Sequence, residues 1–104
     1  MMLLPFLIFS IYSLGSISGY VISNDGTPIG NALVRVTIPS ANQVEETYTD
    51  PNGFFGIVNL DFKKGDKILI YVEKGIYKLN TSFIVETDTL AVTVKIYMDA
   101  CGDG

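Results

Sequence analysis

Asp50-Pro51-Asn52-Gly53 is a short run whose side chains could do chemistry: a carboxylate and an amide oxygen two residues apart, followed by a glycine. Oxygen ligands at that spacing open many calcium-binding loops. The further ligands and distal glutamate of a full EF-hand loop are missing, so the run also suits an ordinary turn, with Asp50 bonding to backbone two residues on. Asp25, Asp61, Asp66, Asp99 and Asp103 are the acids that folding would have to bring to Asp50 and Asn52 to complete a calcium site. Asn80-Thr81-Ser82 is an N-x-Ser/Thr acceptor, which makes Asn80 a glycosylation candidate on an exported chain. Cys101 is the single cysteine. On an exported protein it points to a disulfide partner outside this chain, to a fragment of a longer cysteine-bearing protein, or to a thiol without a role. The six tyrosines (12, 20, 48, 71, 77 and 97) could form a carbohydrate or peptide platform, or could simply cover outer sheet faces.

Other chemistries are excluded. There is no histidine, so neither a Ser-His-Asp nor a Cys-His arrangement can be assembled within the chain. The formal net charge is −4, Arg35 is the only arginine and Lys63-Lys64 the only adjacent basic pair. Nucleic-acid binding needs clustered cations, so no nucleic-acid partner is expected. These features lead us to expect a protein that is not an enzyme and needs no cofactor, calcium aside.

The elements that would hold these residues are short strands. Leu90 to Met98 alternates apolar and polar positions, as does Ala32 to Ile38. A period of two is the signature of a strand with one buried face. Lys67 to Glu73 is a denser apolar run, suiting a strand covered on both sides or flanked by loops. Gly19 to Ser23, Val44 to Thr49, Phe54 to Leu60 and Ile76 to Val85 complete seven strands. Asp25-Gly26, Pro28, Gly30-Asn31, Pro51 to Gly53, Gly65 and Gly75 punctuate them as turns. Phe55 and Ile57 share a face and should fill the space between two sheets. The fold expected is all-β, a β-sandwich.

Residues 1–18 carry no charge and hold an apolar run from Leu3 to Leu14. That length suits the hydrophobic region of a secretory signal peptide and falls short of the ~20 residues of a membrane-spanning helix. Cleavage after Gly15 or Ser18 fits the small residues there. The absence of Lys and Arg before the apolar run departs from the usual signal pattern. The alternatives are a retained hydrophobic anchor, the chain's only route to a membrane, and a strand that packs into a neighbouring subunit. The organisation expected is therefore a signal or anchor at 1–18, a sandwich domain at 19–98, and the start of a cysteine-containing tail or linker at 99–104.

The pattern G-Y-V-x-x-x-D-G-x-P-I-x-x-A-x-V-x-V, then T-Y-T-D-P-N-G-F-F-x-I-x-x-L, resembles the carboxypeptidase regulatory-like domain. Gly19, Val21, Gly26, Pro28, Ile29, Ala32, Val34, Val36, Thr49, Asp50, Asn52, Gly53, Phe55, Ile57 and Leu60 carry the resemblance. It implies a transthyretin-like (prealbumin-type) Greek-key sandwich of about seven strands. It also implies a module that accompanies other domains. The expected function is a non-catalytic module of a secreted or cell-surface protein, a spacer, adhesion or protein-interaction unit. Its expected partners are other surface domains or copies of itself. The alternatives are a subunit of a surface filament assembled by strand donation and a small-ligand carrier of transthyretin-like type, the latter on fold analogy alone.

Overall fold

The computed structural model describes residues 14–99. Seven strands form two sheets: β1 (Gly15–Ser23), β2 (Leu33–Ile38), β3 (Gln43–Tyr48), β4 (Phe54–Leu60), β5 (Lys67–Lys74), β6 (Tyr77–Ile84) and β7 (Ala91–Met98). One sheet has three strands in the order β4-β1-β7, the other four in the order β3-β2-β5-β6. All pairings are antiparallel except β1 with β7, which run parallel from Ser16 beside Ala91 to Ser23 beside Met98. The chain is thus an all-β Greek-key sandwich of seven strands.

The alternating positions read from the sequence become the inner faces. Ile17 and Val21 of β1, Val34, Val36 and Ile38 of β2, Phe55 and Ile57 of β4, and Ile68, Ile70 and Val72 of β5 are buried in one continuous core. Each such side chain removed from water stabilises the fold by about 1.5–3 kcal/mol. Polar and charged side chains line the outer faces, with Arg35, Thr37 and Lys67 on the four-stranded sheet and Ser18, Thr93 and Lys95 on the three-stranded one.

The strand ends differ from the sequence expectation in physically informative ways. β1 begins at Gly15, not Gly19, so residues 15–18, read as the end of the N-terminal segment, lie within the sheet. Ile17 is fully buried and sits in register with both Ile57 and Val92. A β-carbon at residue 15 would come within 2.6 Å of the Phe62 ring, so the small residue there answers to packing as well as to any cleavage pattern. β5 is not covered on both sides. It is an interior strand of its sheet, but Leu69 on its outer face is exposed, and its apolar density reflects pairing with two neighbours rather than two buried faces. Leu90, expected on the buried face of the last strand, precedes β7 and is exposed. β4 loses its alternation at Val58 and Asn59. Asn59 is left-handed (φ 63°), and the register with β1 shifts there, the behaviour of a β-bulge.

The bulge joins the two sheets along one side. The Gln43 amide on edge strand β3 donates to the Asn59 carbonyl at 2.9 Å and accepts from the Asp61 N–H at 2.8 Å. One side chain therefore satisfies two backbone groups that the bulge frees from the ladder.

Candidate functional site

The turn that offers oxygen ligands is built as a structural joint, and so are its neighbours. In the turn between β3 and β4, Asp50 Oδ1 accepts from the N–H groups of Asn52 at 2.8 Å and Phe54 at 3.0 Å. Gly53 follows with φ +79°, and a β-carbon there would meet the Val21 carbonyl at 2.6 Å. Both the conformation and the close approach require glycine. The Gly53 carbonyl then accepts from the Val21 N–H, tying this turn to β1. Asp50 and Asn52 are exposed, and one carboxylate oxygen of Asp50 is already committed to backbone.

Asp25 and Asp66 each serve a turn away from Asp50. Asp25 closes the turn after β1, accepting from the Ser23 hydroxyl and, at 3.0 Å, from the Thr27 N–H. Asp66 is buried in the turn before β5, where it accepts from the Lys63 N–H at 3.0 Å and from the Lys63 ammonium at 3.3 Å. Burial pushes its carboxyl up, but the Lys63 N–H, a hydrogen bond from Ser40 and the Lys63 charge together hold it below the usual carboxylate value. Among the described residues, no three His, Cys, Asp or Glu side chains gather so as to hold a metal ion. Asp103 and Cys101 lie outside the described residues, as does Tyr12.

Thr49 carries part of the family resemblance, but the sequence reading gave its hydroxyl no role. It is buried, its hydroxyl donates to the Ile29 carbonyl at 2.7 Å, and it accepts from the Ala32 N–H at 2.9 Å. It fastens the segment entering β2 to the end of β3. The signal available was its position directly before Asp50-Pro51, but a threonine there is equally at home facing solvent.

The tyrosines are dispersed over different faces. Tyr20 and Tyr97 lie on the outer face of the three-stranded sheet, where Tyr20 meets Phe54 edge to face at 5.4 Å. Tyr71 lies on the outer face of the other sheet beneath the Arg35 guanidinium, 5.1 Å from its ring centre, and its hydroxyl donates to Glu73 at 2.9 Å. Burial and the Glu73 bond raise the Tyr71 phenol above its ordinary value, while the Glu46 hydrogen bond raises that of Arg35. Tyr48 is exposed beside a shallow groove that Leu33 and Glu73 help to line. Tyr77 packs inward against the core. Among the described residues the tyrosines form no single platform. Asn80 is exposed on edge strand β6, opposite Tyr71, where a glycan would extend from the outer face.

The least finished part of the surface is the side between β6 and β7. Both are edge strands among the described residues. The inward side chains Tyr77, Leu79 and Phe83 of β6 and Val92 and Val94 of β7 are only half-buried, whereas Ile68 and Val72 on neighbouring β5 are completely buried. An open groove of about 430 Å³ lies at one end, lined by Phe83, Val85, Thr87, Thr89, Ala91 and Val92 among others.

Two sheets of three and four strands, pinned by side-chain-capped turns, define a small Greek-key sandwich module. The family profile of the carboxypeptidase regulatory-like domain matches residues 16–97, and the chain belongs to that family. No curated protein matches it. Solved structures share the fold. Catechol 1,2-dioxygenase from Acinetobacter sp. ADP1 is 13% identical, with a TM-score of 0.64 over 86% of this chain and 53% of that one. 3-Chlorocatechol 1,2-dioxygenase from Rhodococcus opacus 1CP is 11% identical, with a TM-score of 0.65 over 84% and 60%. The dioxygenase domain of a dioxygenase–carbohydrate-binding fusion from Streptomyces sp. SirexAA-E is 13% identical, with a TM-score of 0.61 over 81% and 78%. The chain spans little more than half the length of the first two. At these identities the likeness concerns the sandwich alone.

Proposed function

We propose that this chain is a non-catalytic structural and interaction module of a secreted or cell-surface protein. One observation carries the reading: the buried polar side chains are spent on the fold. Ser23 and Asp66 stitch turns together, and Thr49 bridges two backbone segments. Active sites instead gather polar groups in a cleft with their valences free for substrate. The uncharged, apolar N-terminal stretch supports export, and the family supports a role as an accessory domain. Antibody detection in fractionated cells and medium of the source organism tests the location. Recovery in the medium or on the cell surface is expected, and recovery of the full-length product in the cytosol would overturn the reading. A second reading, assembly through a donated strand, draws on the half-covered inner side of β6.

A further inference from the structure

The two sheets are unequal, and the inequality is localised. Four strands face three, and the deficit shows where β6 meets β7. Leu79 and Phe83 project inward from β6 but remain half-buried. Val92 and Val94, which start the inner face of β7, are likewise half-covered, while Ile96 and Met98 farther along are buried. The outer hydrogen-bonding edge of β7 has no strand partner among the described residues. An extended segment laid along that edge would complete a fourth strand of the smaller sheet. Its alternate side chains would cover Leu79 and Phe83.

We propose that residues 3–13 of a neighbouring copy occupy this opening. The inference rests on the reading of the chain as an interaction module and adds its partner. The segment is uncharged and rich in Leu, Ile and Phe, so it suits a strand buried on one face and paired along one edge. Its eleven residues reach about 36 Å when extended, enough to run the length of the eight-residue β7, about 26 Å. The sequence argues for a neighbour's segment over the chain's own. Ser16 donates to the Leu90 carbonyl at 2.8 Å and stands in register with Ala91, so the chain enters β1 at the start of β7. To reach its own opening it would have to reverse direction and pass over that strand end within Tyr12-Ser13-Leu14. That stretch contains no Gly, Pro, Asn or Asp, and Ser13, a weaker turn former, is its only residue suited to a tight reversal. A segment given to the next copy makes a head-to-tail contact, which propagates as a ring or a filament.

The test uses the full chain with an intact N-terminus, carrying Cys101→Ser so that no disulfide contributes. Analytical ultracentrifugation should show concentration-dependent assembly. Leu79→Asp, with strand content and melting checked, should raise the concentration needed for assembly at least about tenfold, because a carboxylate would be buried without a partner. Where that variant fails to fold, Leu79→Ser replaces it. A synthetic peptide of residues 3–13 should bind a chain shortened to start at Leu14 and raise its melting temperature, and the Leu79 variant should weaken that binding. A full chain that stays monomeric at every concentration would overturn the proposal. So would assembly unchanged by substitution at Leu79, which would mean that the apolar segments associate with one another. An exported mature chain lacking residues 3–13 would also overturn it while leaving the module reading intact. Cytosolic recovery of an assembling chain would do the reverse.

Discussion

Replacing Thr49 by valine separates hydrogen bonding from hydrophobicity at a buried position. Valine has nearly the same shape, is more apolar and has a higher strand propensity, so a burial argument alone makes it neutral or stabilising. The structure demands the opposite. The Thr49 hydroxyl serves the Ile29 carbonyl and the Ala32 N–H at once. Removing it strands two backbone groups in the interior, each at about 1–3 kcal/mol, offset in part by the new methyl. The net loss expected is about 2–4 kcal/mol. Thr49→Ser keeps both bonds and gives up one buried methyl, about 1 kcal/mol. Urea denaturation of the three proteins, with slopes checked for equality, measures the order directly. Serine should be more stable than valine. A valine variant as stable as the parent, or more stable than the serine variant, would refute the claim that this hydroxyl ties β2 to β3.

Gly19→Ala should destabilise by at least about 2 kcal/mol in the same assay, as overpacking does when backbone must move. A β-carbon there would come within 2.1 Å of the Val94 carbonyl on the parallel neighbour. Asp66 has a carboxyl held below the ordinary value of 3.8, so its contribution is fully present above that value and is lost as pH falls through the lower folded one. Asp66→Asn should therefore lower stability at neutral pH and flatten the decline seen below about pH 4 in melting experiments. Asp50→Ala should cost about 1–2 kcal/mol through its two backbone bonds, and millimolar calcium should leave the melting temperature unchanged. A clear rise with calcium, abolished in the variant, would instead make the turn a cation site.

Much of the fold was legible along the chain because its determinants are local. A period of two marks a strand whatever its partners, so β2, β4 and β7 fell within a residue or so of their expected limits. Turns were readable for the same reason: Asp-Pro-x-Gly encodes its own reversal, and Gly53 adopts the left-handed conformation that the motif requires. The start of β1 was not legible. Gly15-Ser16-Ile17-Ser18 suits a cleavage region by composition, and only the packing of Ile17 against its neighbours makes it strand. Nor was the bulge at Val58 and Asn59, whose freed backbone groups are met by Gln43 from across the sandwich edge.

The candidate site divides along the same line. Residue types alone named Asp50, Asn52, Asn80 and the tyrosines, since each carries its chemistry in its side chain. Whether such groups meet is a matter of distance between strands far apart in sequence. Folding sends Asp25, Asp50 and Asp66 into separate turns and the described tyrosines onto different faces. It also leaves the inner side of β6 half-covered, a feature with no local signature. The order of strands in the two sheets decides it, because a side chain is buried only when another layer lies over it.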